Sequence, residues 1–275
     1  MLFLSKEKGL PILQPEKLKS EEFFNQYKAL EPDINIVVAF RMLPKLIWSY
    51  PKKRTFNLHA SLLPQYRGAA PINWAIINGE TKTGVTTFYI DDEIDTGKII
   101  LNDEISISSE MNAGTLHDIL MIKGAELVVK TVQTIENSDV HLTEQSQLIE
   151  NQNIILKSAP KIFKQDCYIN IEQSLSNINN HIRGLSPYPT AIARIIDKSN
   201  IELFVKIYGS HVETFVNTAN MGDITTDGRT FVAIEHPEGR IFIDELQLPG
   251  KKRLLTADYL RGSQLSTGDW RLKSL

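Results

Sequence analysis

The pattern of apolar and polar positions changes character about half-way along the chain. Residues 34–40 (INIVVAF) form a run that is apolar apart from Asn35 and rich in β-branched side chains, the signature expected of a parallel strand covered on both faces. Ahead of it, Ser20 followed by Glu21 and Glu22 predicts a helix start, with Phe23, Phe24, Tyr27 and Leu30 as the inward stripe. Residues 55–59 read as a short strand, and 71–78 as a helix with Pro71 in its first turn. Two further strands are expected at 84–90 and 98–101, joined by the acidic stretch DDEIDTG. Thr115 is then expected to cap a long amphipathic helix with Leu116, Ile119, Leu120, Leu127, Val128, Val132 and Ile135 on its inner face. Strands alternating with helices predict an α/β unit built on a mainly parallel sheet.

Residues 137–153 (NSDVHLTEQSQLIENQN) are polar and carry no sustained period, which predicts a linker. Beyond them the grammar is that of a β protein. One short helix, 175–183, is expected to end at Gly184, and strands follow at 191–196, 203–208, 222–225, 231–235 and 240–248, separated by Asn, Asp, Gly and Pro turns. Five short strands at this spacing suit a small β-barrel of the oligonucleotide-binding (OB) type. The expected plan is an α/β domain over 1–137, a linker over 138–154, a barrel over 155–262 and a tail over 263–275.

Composition narrows the class without naming it. Of 275 residues, 42% are apolar and 23% charged, the balance of an ordinary folded protein. The net charge of −3 does not mark the chain as a binder of polyanions. Residues 1–151 hold 15 basic and 20 acidic side chains, and residues 152–275 hold 15 and 13, so any basic surface is expected in the second half. Cys167 is the single cysteine, which excludes an intramolecular disulfide and any multi-thiolate metal site and suits a reducing cytoplasm. No apolar run approaches the roughly 20 residues of a membrane span, and the opening MLFLSKEKG is short for a signal peptide.

Candidate chemistry concentrates in residues 56–79, FNLHASLLPQYRGAAPINWAIING. Asn57 and His59 lie two apart on a strand, so both point to one face. They also lie at its carboxyl end, the rim where open α/β sheets bind ligands. Asp95 follows in a turn, and Arg67 is a fixed positive charge between Pro64 and Pro71. An Asn, a His and an Asp meeting at one point suit transfer of an acyl-level carbon to an amine. The Asn or imidazolium N–H stabilises the tetrahedral oxyanion, and His moves protons with Asp fixing its tautomer. Taken singly each residue is ordinary: a strand-end polar side chain, a turn-forming Asp, or solvated charges at Arg67 and Lys98. Neither G-x-S-x-G, G-x-G-x-x-G nor G-x-x-x-x-G-K-[ST] occurs, so nucleophile-elbow hydrolases, dinucleotide enzymes and P-loop enzymes lose their main support.

The combination is more specific than its parts. Asn57-Leu-His59-Ala-Ser61-Leu62-Leu63-Pro64, then Tyr66-Arg67-Gly68-Ala-Ala-Pro71, then Asp95-Thr96-Gly97 closely resembles the folate-dependent formyltransferases. The resemblance implies a Rossmann-like α/β formyltransferase domain followed by the OB-like barrel. It implies 10-formyltetrahydrofolate as co-substrate, no metal, and Asn57, His59 and Asp95 as the catalytic trio. Ser61, Leu62, Leu63 and Pro64 would line the folate site, and Arg41 to Leu43 would form the loop at the pterin head. Residues 181–195 (HIRGLSPYPTAIARI) and 248–262 (LPGKKRLLTADYLRG) resemble the second domain of the family branch that formylates methionine carried by initiator tRNA. Ala69 and Thr96 also match that branch better than the branch acting on nucleotide-linked amino sugars. The family's catalytic domain ordinarily opens with a strand, a G-T-P turn and a helix; the resemblance here begins after them, so a preceding βαβ segment and an internal Met at position 1 are expected. The expected partners are initiator Met-tRNA and the folate donor, in a cytoplasmic monomer without a membrane. Lys157, Lys161 and Lys164, with Lys251, Lys252 and Arg253, are the expected tRNA footprint, because clustered cations neutralise backbone phosphates.

Overall fold

Helix starts and strand alternation place the elements of the computed structural model, which describes all residues except 1, 40, 41, 139, 153, 154, 263, 264, 266 and 275. After α1 (Leu2–Glu7) comes α2 (Glu21–Lys28), which begins at Ser20 as expected. The Ser20 hydroxyl oxygen accepts from Phe23 N at 3.3 Å, and the Phe23, Tyr27 and Ile47 core holds the helix. Then follow β1 (Asn35–Val38), α3 (Lys45–Trp48), β2 (Thr55–His59), β3 (Arg67–Gly68), α4 (Pro71–Ile77), β4 (Lys82–Tyr89), β5 (Ile99–Ser106), α5 (Ala113–Glu136) and α6 (Gln145–Gln152). The rest is β6 (Ser158–Ala159), α7 (Leu175–Leu185), β7 (Ala191–Asp197), β8 (Glu202–Thr214), β9 (Ile224–Thr226), β10 (Val232–His236), β11 (Gly239–Gln247), β12 (Leu254–Leu255), α8 (Thr256–Leu260) and β13 (Trp270–Leu272). Among the described residues, no helix is long and apolar enough to cross a membrane.

Two compact units are assembled from interleaved stretches. The first comprises Met1–Pro64, Val85–Asp103 and Gly124–Ile155; the second comprises Gln65–Gly84, Glu104–Lys123 and Leu156–Leu275. The first is built on a sheet in the order β1-β2-β4-β5. Here β1 and β2 are parallel, but β2 and β4 are antiparallel, with His59 opposite Thr86. This corrects the expected mainly parallel sheet. Alternation of helix and strand implies a parallel pair only when the crossover returns the chain to the end it started from; here β4 begins at the end where β2 finishes. Phe56, Ile100 and Ile135 are the buried centre, with Val128 and Val132 packed on them. The stretch read as a linker is folded. Thr143 and Ile99 exchange backbone hydrogen bonds at 2.9 and 3.0 Å, and α6 follows with Gln145 buried. One buried amide anchors it where sequence periodicity offered no apolar stripe.

The N-terminus of α5 is capped differently from the expectation. Asn112 precedes the helix, and its Oδ1 accepts from Thr115 N at 2.9 Å. Thr115 reciprocates, its Oγ1 accepting from Asn112 N at 3.0 Å. Thr115 is therefore the third helical residue of a reciprocal capping arrangement.

In the second unit, β13, β7, β8, β11, β10 and β9 form a continuous sheet with β12 paired to β11. Its two ends meet: Leu272 N donates to Gly222 O at 2.7 Å and Gly268 N to Ile224 O at 2.9 Å. An antiparallel bridge joins Asp223 and Arg271. The stretch expected as a tail thus contributes the strand that closes the barrel and removes its free edges. Helix α7 runs through Gly184 instead of ending there. A Cβ at Gly184 would lie 2.6 Å from a side-chain carbon of Ile77 and 3.0 Å from its backbone nitrogen, so this glycine serves close packing of α7 on α4 and is not a helix stop.

Candidate functional site

Strand alternation places the first two site residues. On β2, Asn57 is paired with Val37 on one side and Phe88 on the other, and His59 closes the strand two residues later. Both side chains leave the same face. His59 is 6% exposed. The Asn57 Oδ1 atom is buried and has no hydrogen-bond partner among the described residues. A buried amide oxygen without a partner is costly; among the described residues His181 Nε2 and Ser186 Oγ are in the same state.

Asp95 comes to His59 from the acidic turn after β4. Its Oδ2 lies 3.8 Å from His59 Nδ1, with both side chains nearly covered. That is ion-pair distance and longer than a hydrogen bond. Asp95 holds a left-handed φ of +57°. The turn is set from several sides: Thr96 Oγ1 donates to Asp91 Oδ1 at 2.8 Å, and Glu93 N donates to the same oxygen at 3.1 Å. Only glycine fits at position 97, where a Cβ would stand 1.7 Å from Tyr89 O. Gln145, 2% exposed, donates from Nε2 to Asp95 O at 3.0 Å and Gly97 O at 2.8 Å. Sequence reading missed Gln145, because it stands 50 residues from Asp95 in a polar stretch with no period.

The turn after β2 is held by one threonine. Thr86, fully buried and opposite His59, donates from Oγ1 to Ser61 O at 2.7 Å and accepts from Leu63 N at 3.2 Å. Ser61, Leu63 and Pro64 are buried and Leu62 is half-buried, while Leu63 packs with Phe88 and Ile99. Of the expected pterin loop, Leu43 packs on the Phe23, Tyr27 and Ile47 core; Arg41 lies outside the described residues.

The expected basic footprint lies in the second unit and is uneven. Lys157 is exposed, yet its Nζ pairs with Glu80 at 2.6 Å, and Tyr66 donates to the same carboxylate at 2.5 Å. Arg253 grips Glu245 with two guanidinium nitrogens and stacks over the Tyr208 ring at 4.2 Å. Lys161 sits 5.5 Å over the Phe163 ring, and Lys164, Lys251 and Lys252 are exposed. Cys167 is buried, and burial followed by the Asp166 charge pushes its thiol pKa up, the opposite of an activated nucleophile. Among the described residues, no three His, Cys, Asp or Glu side chains are grouped to hold a metal ion.

Chemically, the trio offers an amide, an imidazole and a carboxylate around one strand end, next to a turn whose backbone is locked. This set can steady an oxyanion and move a proton, and it contains no thiol or hydroxyl poised for covalent attack.

Comparison with known proteins agrees across both halves. The family described as "Formyl transferase" matches residues 2–132, and "Formyl transferase, C-terminal domain" matches residues 161–264. The chain is 51% identical to the methionyl-tRNA formyltransferase of Flavobacterium johnsoniae, covering 94% of this chain and 80% of that one. It is 48% identical to the protein of the same name from Bacteroides fragilis, covering 94% and 79% respectively. Among solved structures, the sugar 3N-formyl transferase WlaRD superposes with a TM-score of 0.65 at 23% identity, covering 92% of this chain and 82% of that one. HypX from Aquifex aeolicus in complex with tetrahydrofolic acid superposes with a TM-score of 0.62 at 18% identity, covering 86% and 40%; at such identities these two speak to the fold alone. With near-half identity sustained over more than nine-tenths of its length, the chain belongs to the formyl transferase family.

Proposed function

We propose that this protein transfers the formyl group of 10-formyltetrahydrofolate to the α-amine of methionine esterified to initiator tRNA, as a cytoplasmic monomer. The observation that carries this reading is the 45–51% identity, over 94–95% of the chain, to relatives named methionyl-tRNA formyltransferase. The site chemistry supports it.

The methionyl amine attacks the formyl carbon, a C–N bond forms, and the formyl oxygen takes the negative charge of a tetrahedral intermediate. Asn57 orients and polarises that oxygen through its amide N–H, since an Asn side chain can present either end of its amide to a ligand. His59 takes on Nε2 the proton that the amine must lose and, as the imidazolium, then donates to the oxyanion. The oxyanion re-forms the carbonyl as the C–N10 bond breaks, and His59 passes its proton to the departing N10 of the folate. Asp95, beside Nδ1 of His59, keeps the imidazole in the working tautomer. The 3.8 Å separation is the loose geometry expected before substrate tightens the site. Ser61, Leu62, Leu63 and Pro64 would hold the folate, and the partnerless Asn57 Oδ1 fits a site completed by that ligand. Lys161, Lys164, Lys251 and Lys252 are the cations best placed to meet tRNA phosphates, because Lys157 and Arg253 are engaged in ion pairs within the chain.

The test is direct. Purified protein with 10-formyltetrahydrofolate and charged initiator tRNA should give N-formylmethionyl-tRNA. Folate hydrolysis alone, or formylation of a nucleotide-linked amino sugar in preference to Met-tRNA, would overturn the assignment.

A further inference from the structure

We infer that Gln145 is a positioning residue for the reaction: it sets the place of Asp95, and through Asp95 the orientation of His59. The inference rests on the proposed roles of those two residues. Asp95 sits in the left-handed region, uncommon outside glycine though more accessible to Asp than to most residues, so its turn depends on the contacts that hold it. Two ties on its turn run to the exposed Asp91, from the Thr96 hydroxyl and from Glu93 N, and Gly97 is pressed against Tyr89. The tie from Gln145 is buried and spans the turn. Gln145 Nε2 reaches the carbonyls of Asp95 and Gly97, on either side of Thr96, at 3.0 and 2.8 Å. One amide nitrogen has two hydrogens, so both can be used, and the two carbonyls are held at a fixed spacing.

Gln145 is itself anchored. It begins α6 two residues after Thr143, which is joined to Ile99 of β5 by hydrogen bonds in both directions. Between them Glu144 pairs with Lys98 at 2.5 Å. The position of Asp95 is thus referred back to the rigid sheet by a chain of contacts: β5 to Thr143, Gln145, and the turn. Losing the amide would free the turn by an ångström or so, and misplacement of that size can cost about 10²-fold in rate.

A buried glutamine could also be a staple with no bearing on the chemistry, and coupling separates the two. Gln145→Met keeps the volume and removes the donor. We expect kcat to fall about 10- to 100-fold, with KM for folate donor and Met-tRNA within about two-fold. In an Asp95→Asn background the same change should cost nothing more, since residues acting as a unit are non-additive. Gln145→Leu, which also removes the donor without adding a charge, gives the same comparison if the Met variant does not fold. Full kcat in a folded Gln145 variant, or losses that multiply in the double variant, would overturn the inference. If Asp95→Asn itself kept full turnover, the proposed role of Asp95 would fail instead.

Discussion

Glu235 in the barrel and Asn57 in the sheet unit are both polar groups taken out of water, and their surroundings differ. Glu235 is fully buried, and both of its oxygens are bonded: Thr225 and Arg240 donate to Oε1 at 2.7 and 2.8 Å, and Arg240 and Asn217 donate to Oε2. Burial by itself would raise its pKa, yet the hydrogen bonds from Asn217, Thr225 and Arg240, with the Arg240 charge, hold the carboxyl below the usual range. Asn57 has a buried oxygen with no partner among the described residues, next to a His59–Asp95 pair left at 3.8 Å. The first cluster is complete within the chain and acts on the fold. The second holds a buried amide oxygen that no described residue bonds, which is the feature a ligand contact would answer. Complete bonding within the chain marks Glu235 as a residue that holds the fold, whereas an unbonded buried oxygen, a condition shared by His181 Nε2 and Ser186 Oγ, makes Asn57 a candidate for ligand contact.

The sharpest way to break this comparison is at His59. His59→Ala should lower kcat by about 10² to 10⁴ while thermal unfolding stays near that of the parent. Near-normal turnover would remove His59 from the mechanism. Asn57→Ala comes next, at about 10² to 10³ in kcat, the loss of one oxyanion donor. Because Asn57 Oδ1 has no partner among the described residues, its removal should cost little stability, and a clear fall in the melting point would place Asn57 with the structural cluster.

Glu235→Gln should show the reverse profile, with stability down by about 3 kcal/mol, the low end for breaking a buried pair because Arg240 keeps part of its side chain in water, and catalysis in the folded protein unchanged. Its pH dependence has a definite sign. A carboxyl whose folded pKa is depressed contributes stability above its ordinary value of 4.5, and that contribution is lost as pH falls through the lowered folded value. The parent should therefore lose more stability than Glu235→Gln on going from neutral to acid, as read by denaturant midpoints.

The smallest effect is expected at the surface. Lys251→Ala with Lys252→Ala should flatten the slope of log K against log salt for tRNA by roughly 1.5 units, at about 0.7–0.9 per phosphate contact. Adding Arg253→Ala should change it little, because that guanidinium already holds Glu245. An unchanged slope in the double variant would move the tRNA contacts off this turn.

What the sequence determined by itself is what local rules control. The Ser20 cap, the two-residue spacing that aims Asn57 and His59 one way, and the barrel strands other than β8, which runs on to Thr214 where 203–208 was expected, follow from side-chain type and period within a few residues. The N-x-H-x-S-L-L-P string and D-T-G were legible as a constellation before any geometry was known. The tertiary structure decided what depends on partners distant in the chain. It set β4 antiparallel to β2, brought Gln145 onto a turn 50 residues away, and closed the barrel with β13. It also engaged Lys157 and Arg253 in ion pairs. Periodicity reports which face of an element is apolar, but not which strand lies beside it or which carbonyl a lone buried amide will find. Those pairings arise only when segments far apart in sequence are packed together.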